Sequence, residues 1–295
     1  MTGQKRVLGF IGGSGVYNAD AIQNAERIEF KTPWGEPSDD LVSGQIGETD
    51  VVFLARHGAG HRLPPSAVNY RANIDAMKQA GVTDIISLSA CGSFRENLAP
   101  GVFVIADQFI DRTSGRETSF FGEGFVAHVS MADPVCPALG DAIEAGCKAL
   151  KIDHSRGGTY LAMNGPQFSS RAESHLYRSW GCDIVGMTNM PEAKLAREAE
   201  LPYATVAMVT DYDCWREAED AVDVASVLAI MKKNTANAAR LTEDLAARLG
   251  PTRKASPLGI ETVLDVAVIT APEARSSAML EKLKTVAGRY LKQSD

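Results

Sequence analysis

Two aspartates flank a tyrosine in Thr210–Asp211–Tyr212–Asp213–Cys214–Trp215, directly after the apolar run Val206–Val209. In extended backbone, residues i and i+2 point to the same side. Both carboxylates therefore converge at a strand end, where a ligand over the edge of a sheet can exchange a proton with them. A metal is the competing use of two acids, but no histidine pattern accompanies this pair. A helix cap beside a solvated acid would need the same residues and no ligand.

Three other segments have the chemistry of an anion site. Ile11–Gly12–Gly13–Ser14–Gly15 follows a strand-like run, and consecutive N–H groups in such a glycine turn form a nest for an anion, with the Ser14 hydroxyl as a further donor. It is neither a dinucleotide fingerprint, since Asn18 stands where the third glycine belongs, nor a P-loop, since no Gly-Lys-Ser/Thr follows. Arg56 and His57 end a second strand, with His61 and Arg62 just beyond. Arginine offers a planar fork that suits phosphate oxygens, although a salt bridge and a hydrogen-bonded histidine would use the same pair. Ser87–Leu88–Ser89–Ala90–Cys91–Gly92–Ser93 is small and hydroxyl-rich, as required where backbone approaches a ligand or where a helix packs closely on a strand. Cys91 reads as a buried structural thiol rather than a nucleophile.

Two loops complete the set. Gly165–Ser174 is polar with one aromatic, Phe168, which can stack on a flat ring or plug a core. Gly186–Glu192 offers Met187 to a sugar and the Thr188 hydroxyl to an anion, or else a core methionine and an ordinary N-cap.

Alternating strand and helix patterns must position these residues. Strands are expected at Val7–Ile11, Leu41–Ile46, Val51–Ala55, Asp84–Ser89, Val102–Ile105, Gly158–Met163, Asp183–Val185 and Tyr203–Val209. Helices are expected at Ser66–Ala80, Pro137–Leu150, Arg171–Trp180, Pro191–Ala199 and Val222–Leu249. This alternation predicts an α/β fold with a central sheet covered on both faces, mixed because the strands around Gly47–Asp50 form a hairpin. Gly250–Gly259 reads as a linker. Beyond it, the apolar alternation Val263–Ile269 and a capping box at Thr270–Glu273 lead into a helix carrying Leu280, Leu283, Ala287 and Tyr290. This tail is too short to fold alone and should dock on the main body or on a neighbouring subunit.

Composition narrows the partners. The 295 residues carry 30 Lys+Arg against 37 Asp+Glu, a formal charge of −7, with 45% hydrophobic and 23% charged residues. That is ordinary globular composition, and its acidity argues against nucleic acid or a polybasic membrane contact. The five cysteines are scattered, without a CxxC, as expected of reduced thiols. The first residues lack the pattern of a secretory signal, and no apolar run is long enough to span a membrane. The expected compartment is the cytoplasm.

Nine ordered segments together resemble the nucleoside phosphorylase family, and within it the 5′-methylthioadenosine phosphorylases. They are GGSG at 12–15, TPWGEPS at 32–38, ARHG at 55–58, VNYRANI at 68–74, ACGS at 90–93, DQFIDRTSGR at 107–116, GPQFSSRAES at 165–174, MTNMPEA at 187–193 and TDYDCW at 210–215. The resemblance runs from about residue 7 to about residue 249. It implies a single-domain α/β nucleoside phosphorylase fold over 1–250, a C-terminal helical extension over 251–295, and a homotrimer. It implies phosphorolysis of 5′-methylthioadenosine to adenine and 5-methylthioribose 1-phosphate, a step of methionine and purine salvage. Inorganic phosphate would be the co-substrate, with no cofactor and no metal. By this resemblance Ser14, Arg56, His57, Ser89, Ala90 and Thr188 surround phosphate, and Met187 contacts the ribose. Phe168 stacks on the purine, while Asp211 and Asp213 face the base with Tyr212 between them and Ser169 nearby, Asp211 being the general acid. Val224, Val227 and Leu228 line the methylthio pocket, and His128 reaches a neighbour's site. Ser14 and Ser89 stand where the family often has threonine, which keeps the hydroxyl. The tail after Gly250 departs from the family's shorter C-terminus, which helps close a neighbour's methylthio pocket.

Other readings compete. A phosphorylase for other purine nucleosides (methylthioinosine, adenosine or inosine) is the nearest, although a 6-oxopurine enzyme should carry Asn or a non-acidic loop at TDYDCW. A nucleosidase using water would not need Arg56 and His57 as anion ligands. A non-catalytic nucleotide-binding module would leave Asp211 and Asp213 without a task.

Overall fold

The computed structural model describes residues 4–13, 21–216 and 224–293, the side chains of 224–227 excepted. Thirteen strands and eight α-helices follow in chain order among these residues. They are β1 (Gln4–Lys5), β2 (Val7–Gly12), β3 (Gln23–Ile28), β4 (Leu41–Ile46), β5 (Thr49–Ala55), α1 (Tyr70–Gln79), β6 (Asp84–Ser93), β7 (Phe103–Ile105), β8 (Gln108–Asp111), α2 (Pro137–Leu150) and β9 (His154–Arg156). The second half comprises β10 (Thr159–Ala162), α3 (Arg171–Ser179), β11 (Ile184–Gly186), α4 (Asn189–Glu198), β12 (Tyr203–Asp211), α5 (Val224–Leu249), β13 (Thr252–Arg253), α6 (Leu264–Ala267), α7 (Ser277–Lys282) and α8 (Gly288–Leu291).

The main sheet is mixed, in the order β3-β4-β5-β2-β6-β11-β10-β8, with β12 joining β6 to β7 and β7 joining β9. Its central strands β2, β6 and β12 are buried on both faces and so are largely apolar on both sides rather than amphipathic. On β12, Tyr203, Ala207 and Val209 enter one core with Ile74, Met77, Leu195 and Ala196 of α1 and α4. Ala204, Val206 and Met208 enter the other with Leu139 and Ile143 of α2 and Leu241 and Leu245 of α5.

Strand β6 shapes the site. It runs parallel to β2 only as far as Ser87, opposite Ile11, and then parts from it. Its far end, Gly92 and Ser93, pairs antiparallel with β11. The small residues from Ser87 to Ser93 let the strand turn away, and a cleft opens where β2, β5 and β12 end.

Several expected elements differ. The strand expected to stop at Ser89 continues to Ser93, and that expected to stop at Val209 reaches Asp211. Strand β3 was illegible because its residues are nearly all exposed. The helix expected from Ser66 begins at Tyr70, where the Asn69 side chain accepts from Ala72 N. Residues 222–223 of the expected long helix lie outside the described residues.

The tail packs on its own chain. Strand β13 pairs with β1, and Arg6 and Arg253 converge on Asp84 at 3.3 and 3.1 Å. Leu264, Ala267, Leu283, Val286 and Ala287 are buried in the core shared with α1 and α4. The Val263–Ile269 alternation forms a helical turn rather than a strand. Thr270 is no N-cap: its hydroxyl accepts from Val126 N at 2.8 Å, and the helix starts only at Ser277.

Candidate active site

A cleft of about 360 Å³ lies over the strand ends, within the range of small-ligand sites. It gathers Arg56, His57, Ser89, Ala90, Phe168, Ser169, Met187, Thr188, Asp211 and Asp213 from segments up to about 160 residues apart in sequence. Gly13 brings the described part of the glycine turn to its wall, while Ser14 lies outside the described residues.

The acidic end comes from β12 and the turn after it. Asp211 Oδ2 accepts from the Thr210 hydroxyl at 2.7 Å and Oδ1 from Asp213 N at 2.8 Å. Burial raises both carboxyls above their usual range, against hydrogen bonds that favour the ionised form. Asp213 Oδ2 is buried without a well-formed hydrogen bond, while the Ser174 and Ser169 hydroxyls and Cys214 N lie near enough to favour the ionised carboxylate. Asp213 holds a left-handed φ of 54°, which aspartate tolerates better than most residues. Gly92 makes room behind the pair, since a Cβ there would sit 2.9 Å from Asp211 Oδ1.

The other end differs from a simple phosphate fork. Arg56 is almost wholly buried. Its Nε and Nη2 grip Glu192 at 2.7 and 2.9 Å, Nη2 also reaches Ser87 Oγ and Ile11 O, and Nη1 donates to Leu88 O. Ser87 and Tyr203 hydroxyls donate to the same carboxylate at 2.7 and 3.0 Å. Burial opposes the Arg56 charge, but Glu192 outweighs it and holds the guanidinium protonated. His57 Nδ1 faces Leu63 O at 2.9 Å, so this nitrogen is the donor. Burial and the Arg56 charge push the imidazole down to about 4, leaving it neutral near pH 7. The Ser89 hydroxyl donates to Asn189 Oδ1 at 3.0 Å.

Between the two ends lies the middle wall. Phe168 is half exposed at the mouth, and Met187 lies behind Gly165, where a Cβ would clash with its sulfur. Arg116 donates to the carbonyls of Met187, Met190 and Asn164, tying the two loops together. No residue pattern reveals this role, because its shortest hydrogen bonds go to backbone carbonyls of distant loops. Glu192 was missed for a similar reason: its partner is 136 residues away. Met163, Met208, Met231, Asn234 and Thr235 also line the cleft.

Two expected contacts, Leu228 and Tyr212, are not part of this wall. Leu228 is 58% exposed and lies off the cleft; Met231, Asn234 and Thr235, further along the same helix, line it instead. Val224 and Val227 have side chains outside the described residues. Tyr212 turns away: its hydroxyl donates to Glu96 O and its ring stacks under Arg216 at 3.7 Å. His128, expected at a neighbour's site rather than in this cleft, has its backbone N–H tied to Ala267 O of the tail. Cys91 lines the cleft as a buried thiol that burial raises well above its usual value.

Residues 7–247 match the family model of the phosphorylase superfamily, and the chain belongs to that superfamily. It is 55% identical over 286 residues to an S-methyl-5′-thioadenosine phosphorylase of Bradyrhizobium diazoefficiens, covering 97% of this chain and 98% of that one. A relative of the same name from Geobacter sulfurreducens is 48% identical, over 97% of this chain and 100% of the other. The crystal structure of a methylthioadenosine phosphorylase from an Antarctic soil metagenomic library matches with a TM-score of 0.90 at 46% identity, covering 96% of this chain and 99% of that one. That of Schistosoma mansoni, in complex with adenine, matches with a TM-score of 0.83 at 37% identity, covering 89% and 99%. Within the superfamily, the chain falls in the S-methyl-5′-thioadenosine phosphorylase family. The matched lengths correct one expectation: the extension after Gly250 is shared with these bacterial relatives and is no departure from them.

Proposed function

We propose that this chain phosphorolyses 5′-methylthioadenosine, releasing adenine and 5-methylthioribose 1-phosphate. The observation that carries the reading is the buried Asp213 Oδ2, an acceptor with no well-formed hydrogen bond, beside the raised carboxyl of Asp211 in one cleft. A buried carboxylate oxygen that is poorly hydrogen-bonded is costly, and the exocyclic amine of adenine would supply a well-placed N–H. A 6-oxopurine would oppose it with a lone pair.

Phosphate is the nucleophile, so the protein contributes position and electrostatics rather than a covalent intermediate. The glycine turn, Arg56 and the Ser89 and Thr188 hydroxyls would hold phosphate below the anomeric carbon, with His57 and Ala90 beside it. Met187 would pack on the ribose and Phe168 on the purine, near Ser169. Positive charge grows on the ribose as the glycosidic bond opens, and negative charge grows on the leaving base. Asp211, whose carboxyl burial shifts toward the protonated form, would share or deliver a proton at N7. We further read the active form as a homotrimer in the cytoplasm, with His128 at a neighbour's site and inorganic phosphate as the sole co-substrate.

Adenine release from 5′-methylthioadenosine, followed with and without phosphate, tests the reaction. Release that requires phosphate supports phosphorolysis, whereas equal release in water alone would make the chain a nucleosidase.

A further inference from the structure

We propose that Glu192 is a positioning residue that cancels the charge of Arg56, so that the bound anion keeps its own negative charge for the reaction. The proposal rests on the reading of this end of the cleft as a phosphate site.

The geometry is a closed account of one guanidinium. Glu192 is fully buried and takes Nε and Nη2 side by side, the bidentate arrangement that makes arginine–carboxylate pairs strong. Nη2 also serves Ser87 and Ile11 O, and Nη1 serves Leu88 O. Four of five N–H groups are thereby committed inside the protein, and one remains for a ligand. The carboxylate is itself fixed by Ser87 and Tyr203, and Tyr203 accepts from Asn189 at 2.6 Å. Asn189 in turn accepts from Ser89 on the cleft wall.

No lysine or second arginine lines the cleft among the described residues. His57 donates Nδ1–H to Leu63 O, is neutral near pH 7, and stacks on His61 at 4.3 Å. Among the described lining residues, the other ionisable side chains with a formal charge are Asp211 and Asp213, both acids. An anion here is held by hydrogen-bond donors rather than by net positive charge. That arrangement suits a reaction whose transition state places a cationic ribose against the anion. A free guanidinium would bind the anion more tightly in the ground state while weakening its attraction for the developing cation.

Steady-state kinetics on the full-length enzyme, with inorganic phosphate varied and adenine release recorded, test this. In Glu192→Gln the Arg56 charge is uncovered, and KM for phosphate and kcat should both fall, each roughly tenfold, as expected for one uncancelled charge near a partly buried anion. Tyr203→Phe removes a hydrogen bond to Glu192 but keeps its charge, so in that variant KM for phosphate does not fall. A merely structural role would raise KM in both variants. KM unchanged or raised in Glu192→Gln overturns the proposal. Should that variant fail to fold, the wild-type enzyme still decides. Its KM for phosphate should be nearly flat with added KCl, and a steep rise would show a net-positive subsite. Wild-type turnover that ignores phosphate would instead remove the phosphorolysis reading itself, and this result is distinct from both others.

Discussion

The backbone N–H of Asp213 donates to Asp211 Oδ1 at 2.8 Å while the carboxylate of Asp213 keeps one buried oxygen without a well-formed hydrogen bond. One residue thus orients the neighbouring acid and reserves its own acceptor for a ligand. Replacing Asp211 by Ala should lower kcat by roughly 10²–10⁴-fold, the usual worth of a general acid. Phosphate binding measured by calorimetry should persist, because the anion end is built from other strands. Near-normal turnover would end the acid assignment.

Asp213→Asn places an N–H donor beside the acceptor. The ratio of kcat/KM for methylthioadenosine to that for methylthioinosine should drop by roughly tenfold or more, since an unpaired buried polar group discriminates strongly. An unchanged ratio would show that Asp213 does not read position 6 of the purine.

Gly92 is a test of position alone. A Cβ at this residue would lie 2.9 Å from Asp211 Oδ1 and 3.1 Å from Val185 Cγ1. Gly92→Ala should displace the carboxyl and lower kcat by roughly 10–100-fold, with a stability loss of only about 1–2 kcal/mol. Full activity with normal stability would mean that the acid tolerates displacement.

Glu198 should make stability depend on pH. It is buried, accepting from Ser119 Oγ and Phe120 N, and burial lifts its carboxyl to about 7. The folded state binds this proton more tightly than the unfolded chain, so the stabilising effect is complete below the unfolded value and is lost as pH rises through about 7. The difference is on the order of 3 kcal/mol. Denaturant midpoints at about pH 5 and about pH 8 should fall more for wild type than for Glu198→Gln. Parallel curves would refute the assignment.

Arg289 anchors the tail. It grips Glu200 at 2.6 and 2.8 Å and Asp265 at 2.6 Å, and Glu200 also accepts from Leu264 N. Arg289→Ala strands a buried carboxylate, but its own partial exposure reduces the cost to about 1–3 kcal/mol. The melting temperature should fall by several degrees, and Glu200→Gln in the same background should recover part of it. No change in either variant would mean that apolar packing alone holds the tail.

The sequence by itself determined the strand that carries Asp211, the polar loops and the family, because these depend on local spacing and ordered short motifs. The tail's burial was half legible. Its apolar positions Leu283 and Ala287 are core residues, but the capping signature at Thr270 was misleading, since that hydroxyl serves Val126 from a distant loop.

Only the tertiary structure decided how charge is distributed around the anion end. In the sequence Arg56 reads equally as a phosphate fork or as one half of a salt bridge, because its partner, Glu192, is 136 residues further along the chain; the buried pair is neutral as a unit. It likewise decided that Tyr212 faces Arg216 and Leu228 faces outward, while Met231, Asn234 and Thr235 line the cleft. Spacing specifies which side chains share a face. What lies opposite that face depends on where β6 parts from β2 and how α5 crosses the sheet, and both follow from packing the whole chain.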